Sequence, residues 1–186
     1  MKKLLWVLPL AVIVFAACST VSMTGRKQLN LVSESEILSA SLTEYQSYMK
    51  TAKVSTDANA TAVVKNVAQR IAAAAEAYLQ VTGQEADIQN YAWEFNLTQD
   101  PELNAFCMPG GKIVVYEGML NLIGNGADRD DELAAVIGHE VGHAMAKHGN
   151  ERASQQLLAS LGSSVVGIAV SGQSTQVQQL SLRLTV

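Results

Sequence analysis

Gly138-His139-Glu140-Val141-Gly142-His143 is the stretch on which the reading of this chain turns. On a helix, residues four apart are separated by about 40° in azimuth and one turn along the axis. His139 and His143 would therefore direct both imidazoles to one side, where they can share a metal ion. Glu140 stands beside them, placed to reach a water on that metal without ligating it. Neutral imidazoles suit Zn²⁺, which polarises a bound water and a scissile carbonyl while a carboxylate accepts the water's proton. The expected cofactor is one Zn²⁺ per polypeptide, with His139 and His143 as ligands and Glu140 as the catalytic base. Two bland alternatives stand beside this: histidines on a solvated helix face, or histidines hydrogen-bonded within a core. Gly142 costs a helix about 1 kcal/mol relative to alanine, which points to close approach of another backbone. His148 completes a ten-residue stretch that holds all three histidines. Five residues past His143 is about 140° around a helix, so His148 is expected to face away and to hydrogen-bond neighbouring backbone or a group behind the metal ligands.

Working outward, Asp128 and Asp130 place negative charge where the helix opens, and Leu133, Val136, Ile137 and Val141 carry it to about His148. Upstream, Lys112-Ile113-Val114-Val115-Tyr116 and the segment from Asn104 flank Pro109-Gly110-Gly111, a hairpin-like pair around a tight turn. Tyr91, Trp93, Phe95 and Leu97 alternate with Ala, Glu and Asn, which predicts a strand with one face in the core. Ser33 with Glu36 forms a capping box for a helix near 34–49. A second helix is expected over 57–80, with an apolar face of Val63, Val67, Ile71, Ala75 and Tyr78 and a stop at Thr82-Gly83. Leu157 to Val170 is too short for a membrane span and reads as a buried helix. Cys107, alone before Pro-Gly-Gly, reads as a small buried apolar residue rather than a nucleophile.

The first residues read as an address. Lys2 and Lys3 precede an apolar run from Leu4 to Ala17, which predicts a signal peptide over 1–17. The run ends Phe15-Ala16-Ala17-Cys18, resembling a bacterial lipobox, so Cys18 is the expected lipidation site. The alternative is an ordinary cleaved signal with Cys18 a bystander. Ser19 replaces the Asp that resembles an inner-membrane retention signal, so the expected place is the bacterial cell envelope, at the outer membrane and facing the periplasm. Residues 18–30 read as a lipid-anchored tether, with 31–186 as the catalytic domain.

Composition closes off other classes. The 186 residues carry 13 basic and 17 acidic side chains, net −4, which argues against nucleic acid as a partner. Apolar residues make up 48%, enough for a core and too many for a disordered polypeptide. Two cysteines exclude a disulfide scaffold.

These motifs together resemble the HtpX-like zinc metallopeptidases, the group that includes the CAAX prenyl proteases and a mitochondrial inner-membrane quality-control protease. The resemblance runs from about Gly25 to about Val170. It is carried by Asn104-Ala105-Phe106, Pro109-Gly110-Gly111-Lys112-Ile113, Asp131-Glu132-Leu133-Ala134 and the histidine motif with His148. With the lipobox, the sequence is similar to the lipoprotein branch of that group. The resemblance implies an α+β fold, a mainly helical zincin-like metalloprotease core with a small β-sheet at the cleft edge. It implies endopeptidase action on unfolded or damaged envelope proteins, with polypeptides as substrates. It also implies that Ile113, Val114, Val115 and Tyr116 form a cleft-edge strand that binds substrate backbone by β-augmentation; a plain core strand is the alternative. The group's third zinc ligand is a Glu in a Glu-x-x-Ala-Asp segment. This sequence runs 43 residues past His143 with no acidic residue after Glu151. The third ligand is therefore expected to be absent, and the polypeptide to be incomplete at its C-terminus. A catalytically inactive, lipid-anchored metal- or protein-binding fragment is the rival expectation.

Overall fold

The computed structural model describes residues 18–170 apart from Ser22 and Thr24, with side chains from Thr20 to Ser160. The expected signal peptide, the side chain of Cys18 and the stretch 171–186 lie outside the described residues. The protein divides into two compact units. Among the described residues, one holds Thr20–Lys27 and Ser33–Gly149; the other holds residues 18–19, Gln28–Val32 and residues 150–170.

In the larger unit, α1 (Glu34–Thr51) begins at Ser33, whose side chain and that of Glu36 cap each other's backbone as the capping box requires. Helix α2 (Ala58–Val81) begins at Asp57, whose carboxylate accepts from the Ala60 N–H at 2.9 Å. A short α3 (Glu85–Ile88) leads to three strands, β3 (Glu94–Thr98), β4 (Ala105–Met108) and β5 (Lys112–Tyr116). Helix α4 (Glu117–Ile123) and helix α5 (Arg129–Met145) follow. Neither α3 nor α4 is predicted by the sequence pattern, because at four and seven residues they are too brief to show a period.

The sheet order is β3-β5-β4, with β3 parallel and β4 antiparallel to β5. Side chains alternate across it. Leu97, Ala105, Ile113 and Val115 join one core with Val64, Val67, Ala68 and Ala75 of α2 and Leu133, Ile137 and Val141 of α5. Val114 and Tyr116 face the other way, against Tyr45 of α1. The sheet is therefore covered on both sides, and this is why its middle strand is an unbroken apolar run. The expected α+β class, mainly helical with a small sheet, is what the protein adopts.

Several boundaries moved. The predicted apolar face of α2 is turned toward Val64, Ala68 and Leu79, which are buried, while Tyr78 at the end of the helix is 38% exposed. The extended segment expected from Tyr91 becomes a strand only at Glu94. Before it, Tyr91 stacks on Trp93 at 4.8 Å between centroids, and the Trp93 indole donates to Glu76 at 2.7 Å. The segment 18–30, expected as a tether, contains two short strands, β1 (Cys18–Thr20) and β2 (Lys27–Leu29), paired as a ribbon.

The last helix, α6, runs His148–Val170. In the smaller unit, its Ser154 is buried and accepts a hydrogen bond from the Leu31 N–H at 2.9 Å. Leu157 and Leu158 are each 40% exposed, so the expected burial fails at the start of that apolar stretch. No helix among the described residues is long and apolar enough to cross a membrane.

Candidate active site

Helix α5 presents two stripes. Leu133, Ile137 and Val141 point into the core, and His139 and His143 point to the exposed side, with Glu140 half-buried between the two stripes. The two rings meet nearly edge to face, 4.4 Å between centroids, and their Nε2 atoms are 3.0 Å apart. Two nitrogens bound to one tetrahedral Zn²⁺ at about 2.0–2.1 Å stand ~3.3 Å apart, so this pair needs only a slight opening to take an ion. The donor chemistry and the spacing both fit a metal held by His139 and His143. Among the described residues no group of three His, Cys, Asp or Glu side chains converges as a metal site.

Strand β4 packs along α5 and brings Cys107 within the electrostatic reach of Glu140. Burial, and then the Glu140 charge, push the Cys107 thiol up to about 12. A thiol held protonated at neutral pH is a poor nucleophile, which agrees with the reading against a nucleophile, while Cys107 itself is half-buried rather than buried.

Two expectations about this site need correction. Ile113–Tyr116 was expected to be an exposed cleft edge, but β5 is the middle strand and both its edges are already hydrogen-bonded. A strand with no unpaired N–H or C=O row cannot accept a peptide by augmentation. Gly142 was expected to admit another backbone, yet among the described residues a Cβ placed there would meet nothing within 4 Å.

His148 would point away only if one helix ran through it without a break. Helix α5 instead ends at Met145, and Lys147 adopts φ +54°, the left-handed region. Non-glycine residues avoid that region unless neighbours hold them there. The Lys147 ammonium is so held, donating to Glu34 at 2.9 Å and lying 3.2 Å from Asp87. Gly149 permits the turn, since a Cβ there would stand 3.2 Å from Cγ of Pro109. The reversal carries His148 back until its Nδ1 lies 2.6 Å from Nδ1 of His143. The sequence signal that could have shown this is Lys147-His148-Gly149-Asn150, where glycine and asparagine interrupt the helical pattern.

Comparison with known proteins adds an independent line. The model of peptidase family M48 matches residues 60–185. The mitochondrial metalloendopeptidase OMA1 of Arabidopsis thaliana is 49% identical over 61 residues, 33% of this chain and 12% of that protein. The mitochondrial metalloendopeptidase OMA1 of Bos taurus is 29% identical over 135 residues, 71% of this chain and 24% of that protein. Metalloprotease LoiP of Escherichia coli (strain K12) is 34% identical over 80 residues, 43% of this chain and 28% of that protein. The matches thus span between 12% and 28% of the length of these curated relatives.

Proposed function

The chain belongs to peptidase family M48, and from that premise we propose that it is a zinc-dependent endopeptidase of the bacterial cell envelope. The observation that carries this reading is the convergence of His139 and His143 Nε2 at 3.0 Å on the exposed side of α5. His139 and His143 would hold the ion, which when bound supplies Lewis-acid polarisation of water and of a peptide carbonyl. Glu140, one residue from His139 and half-buried, takes the proton of the attacking water and returns it to the leaving amine.

The substrate strand in this reading is β4. It is the sheet edge that packs on α5, and among the described residues no strand pairs with its outer side. Tyr116 N–H donates to the Asn104 carbonyl, so alternation along the ladder turns the backbone groups of Ala105 and Cys107 outward. An extended peptide added there would lie beside Glu140.

The finer assignment is supported by sequence. The motifs resemble the HtpX-like group, and Lys2-Lys3, the apolar run and Cys18 resemble a lipoprotein leader. On this reading the enzyme sits at the outer membrane through acylated Cys18 and hydrolyses unfolded or damaged envelope proteins. A casein digestion assay with and without a zinc chelator tests the activity, and mass spectrometry of membrane-extracted protein tests the anchor. Chelator-sensitive cleavage and a diacylglyceryl adduct on Cys18 are expected; cleavage indifferent to chelation, or an unmodified soluble thiol, would refute the respective claim.

One observation favours a second reading. Only two ligands converge among the described residues, and catalytic zinc usually has three from protein. On this reading the protein binds zinc weakly and cleaves nothing. Zinc retention without casein cleavage would select it.

A further inference from the structure

We propose that His148 is a positioning residue for His143. In this arrangement Nδ1–H of His143 donates to Nδ1 of His148, which leaves Nε2 of His143 to face the metal. The inference rests on the zinc reading above and extends it to a residue outside the His-Glu-x-x-His motif.

The two sides of the His143 ring meet different partners. Its Nε2 faces Nε2 of His139 at 3.0 Å, and its Nδ1 faces Nδ1 of His148 at 2.6 Å. A neutral imidazole carries one proton, and the nitrogen that donates fixes the other as the ligand. A ring used at Nε2 for a metal must donate from Nδ1, and His148 is the acceptor in place. His148 itself cannot share that ion with the pair, because it meets the opposite side of His143. The 51° tilt between the rings and the 4.8 Å between their centroids suit an in-plane hydrogen bond better than stacking.

The contact is also built, not incidental to one helix. It exists only because the backbone reverses at Lys147, and that reversal is secured from two other elements, by Glu34 of α1 and Asp87 of α3. Outer partners of metal-bound histidines hold ring orientation and tautomer, and their loss commonly weakens metal affinity about 10–100-fold.

The test measures zinc affinity of the full-length protein by competition with a chromogenic chelator, alongside melting of the metal-free protein. His139→Ala should lose the site. His148→Ala should weaken zinc about 10- to 100-fold with the metal-free melting temperature unchanged. His148→Asn, whose side-chain oxygen can accept from Nδ1–H, should recover most of the loss. The visible spectrum of the Co²⁺-loaded protein should change in His148→Ala and return in His148→Asn. Wild-type affinity in His148→Ala would overturn the inference while leaving the zinc reading intact. Equal losses in both His148 variants would overturn it too, assigning His148 to the turn alone. Wild-type and His139→Ala proteins that bind zinc alike would sink the zinc reading and this inference together.

Discussion

The two faces of α5 obey one spacing rule and do opposite work. Leu133, Ile137 and Val141 recur every four residues and are 0–2% exposed, locked against α2 and the sheet. His139 and His143 recur at the same interval and are exposed, touching each other and His148. Helical geometry supplies both stripes; the chemistry of the residues decides which is packed and which is left exposed. Stability and chemistry are therefore separable on this helix to within two or three residues. Substitutions on the two faces should fail in different ways.

The largest separation is expected from Glu140→Gln. It keeps the side chain's size and removes its basicity, so casein turnover should fall about 10²–10⁴-fold with the melting temperature unchanged. A matched loss of stability would show that Glu140 belongs to the packed face. Next comes the inward stripe. Ile137→Ala should cost about 2–5 kcal/mol in equilibrium unfolding, since Ile137 is 1% exposed within the main core. The fraction still folded should bind zinc normally; a specific loss of zinc would couple the faces.

The strand beside α5 offers a finer division. Phe106→Pro removes an N–H from the β4–β5 ladder and should lower the melting temperature. Cys107→Pro removes an outward N–H and should lower casein turnover more than stability. If the two variants are equally unstable and equally impaired, β4 is structural on both edges and the substrate enters elsewhere. The smallest effect is expected at Gly142, which sits between the histidines with open space where a Cβ would go. Gly142→Ala should raise stability by up to about 1 kcal/mol in denaturant titration. A loss there would reveal a neighbour that the described residues do not contain.

What could be read in advance followed from local rules. The capping box at Ser33 and Glu36 marks the start of α1 because both partners lie within one turn. The hairpin around Pro109-Gly110-Gly111 was legible because Gly110 and Gly111 take positive φ, at 91° and 80°. The histidine pair was legible because a four-residue interval on a helix is enough to bring two rings together. Misreadings arose where the answer depended on distant segments. Ile-Val-Val at 113–115 is equally suited to an edge or a centre, and the pairing of β3 on its far side made it the centre.

Capping, turn preference and helical period act over a few residues, so the longer helices, the β4–β5 hairpin and the four-residue interval that pairs His139 with His143 were set locally. Tertiary structure alone decided that β4 and not β5 is the open edge, because sheet order depends on partners far apart in the sequence. It also decided the place of His148. Glycine and asparagine at 149–150 mark a local interruption, but the direction in which the backbone turns at Lys147 is set by Glu34 and Asp87, 113 and 60 residues away in sequence.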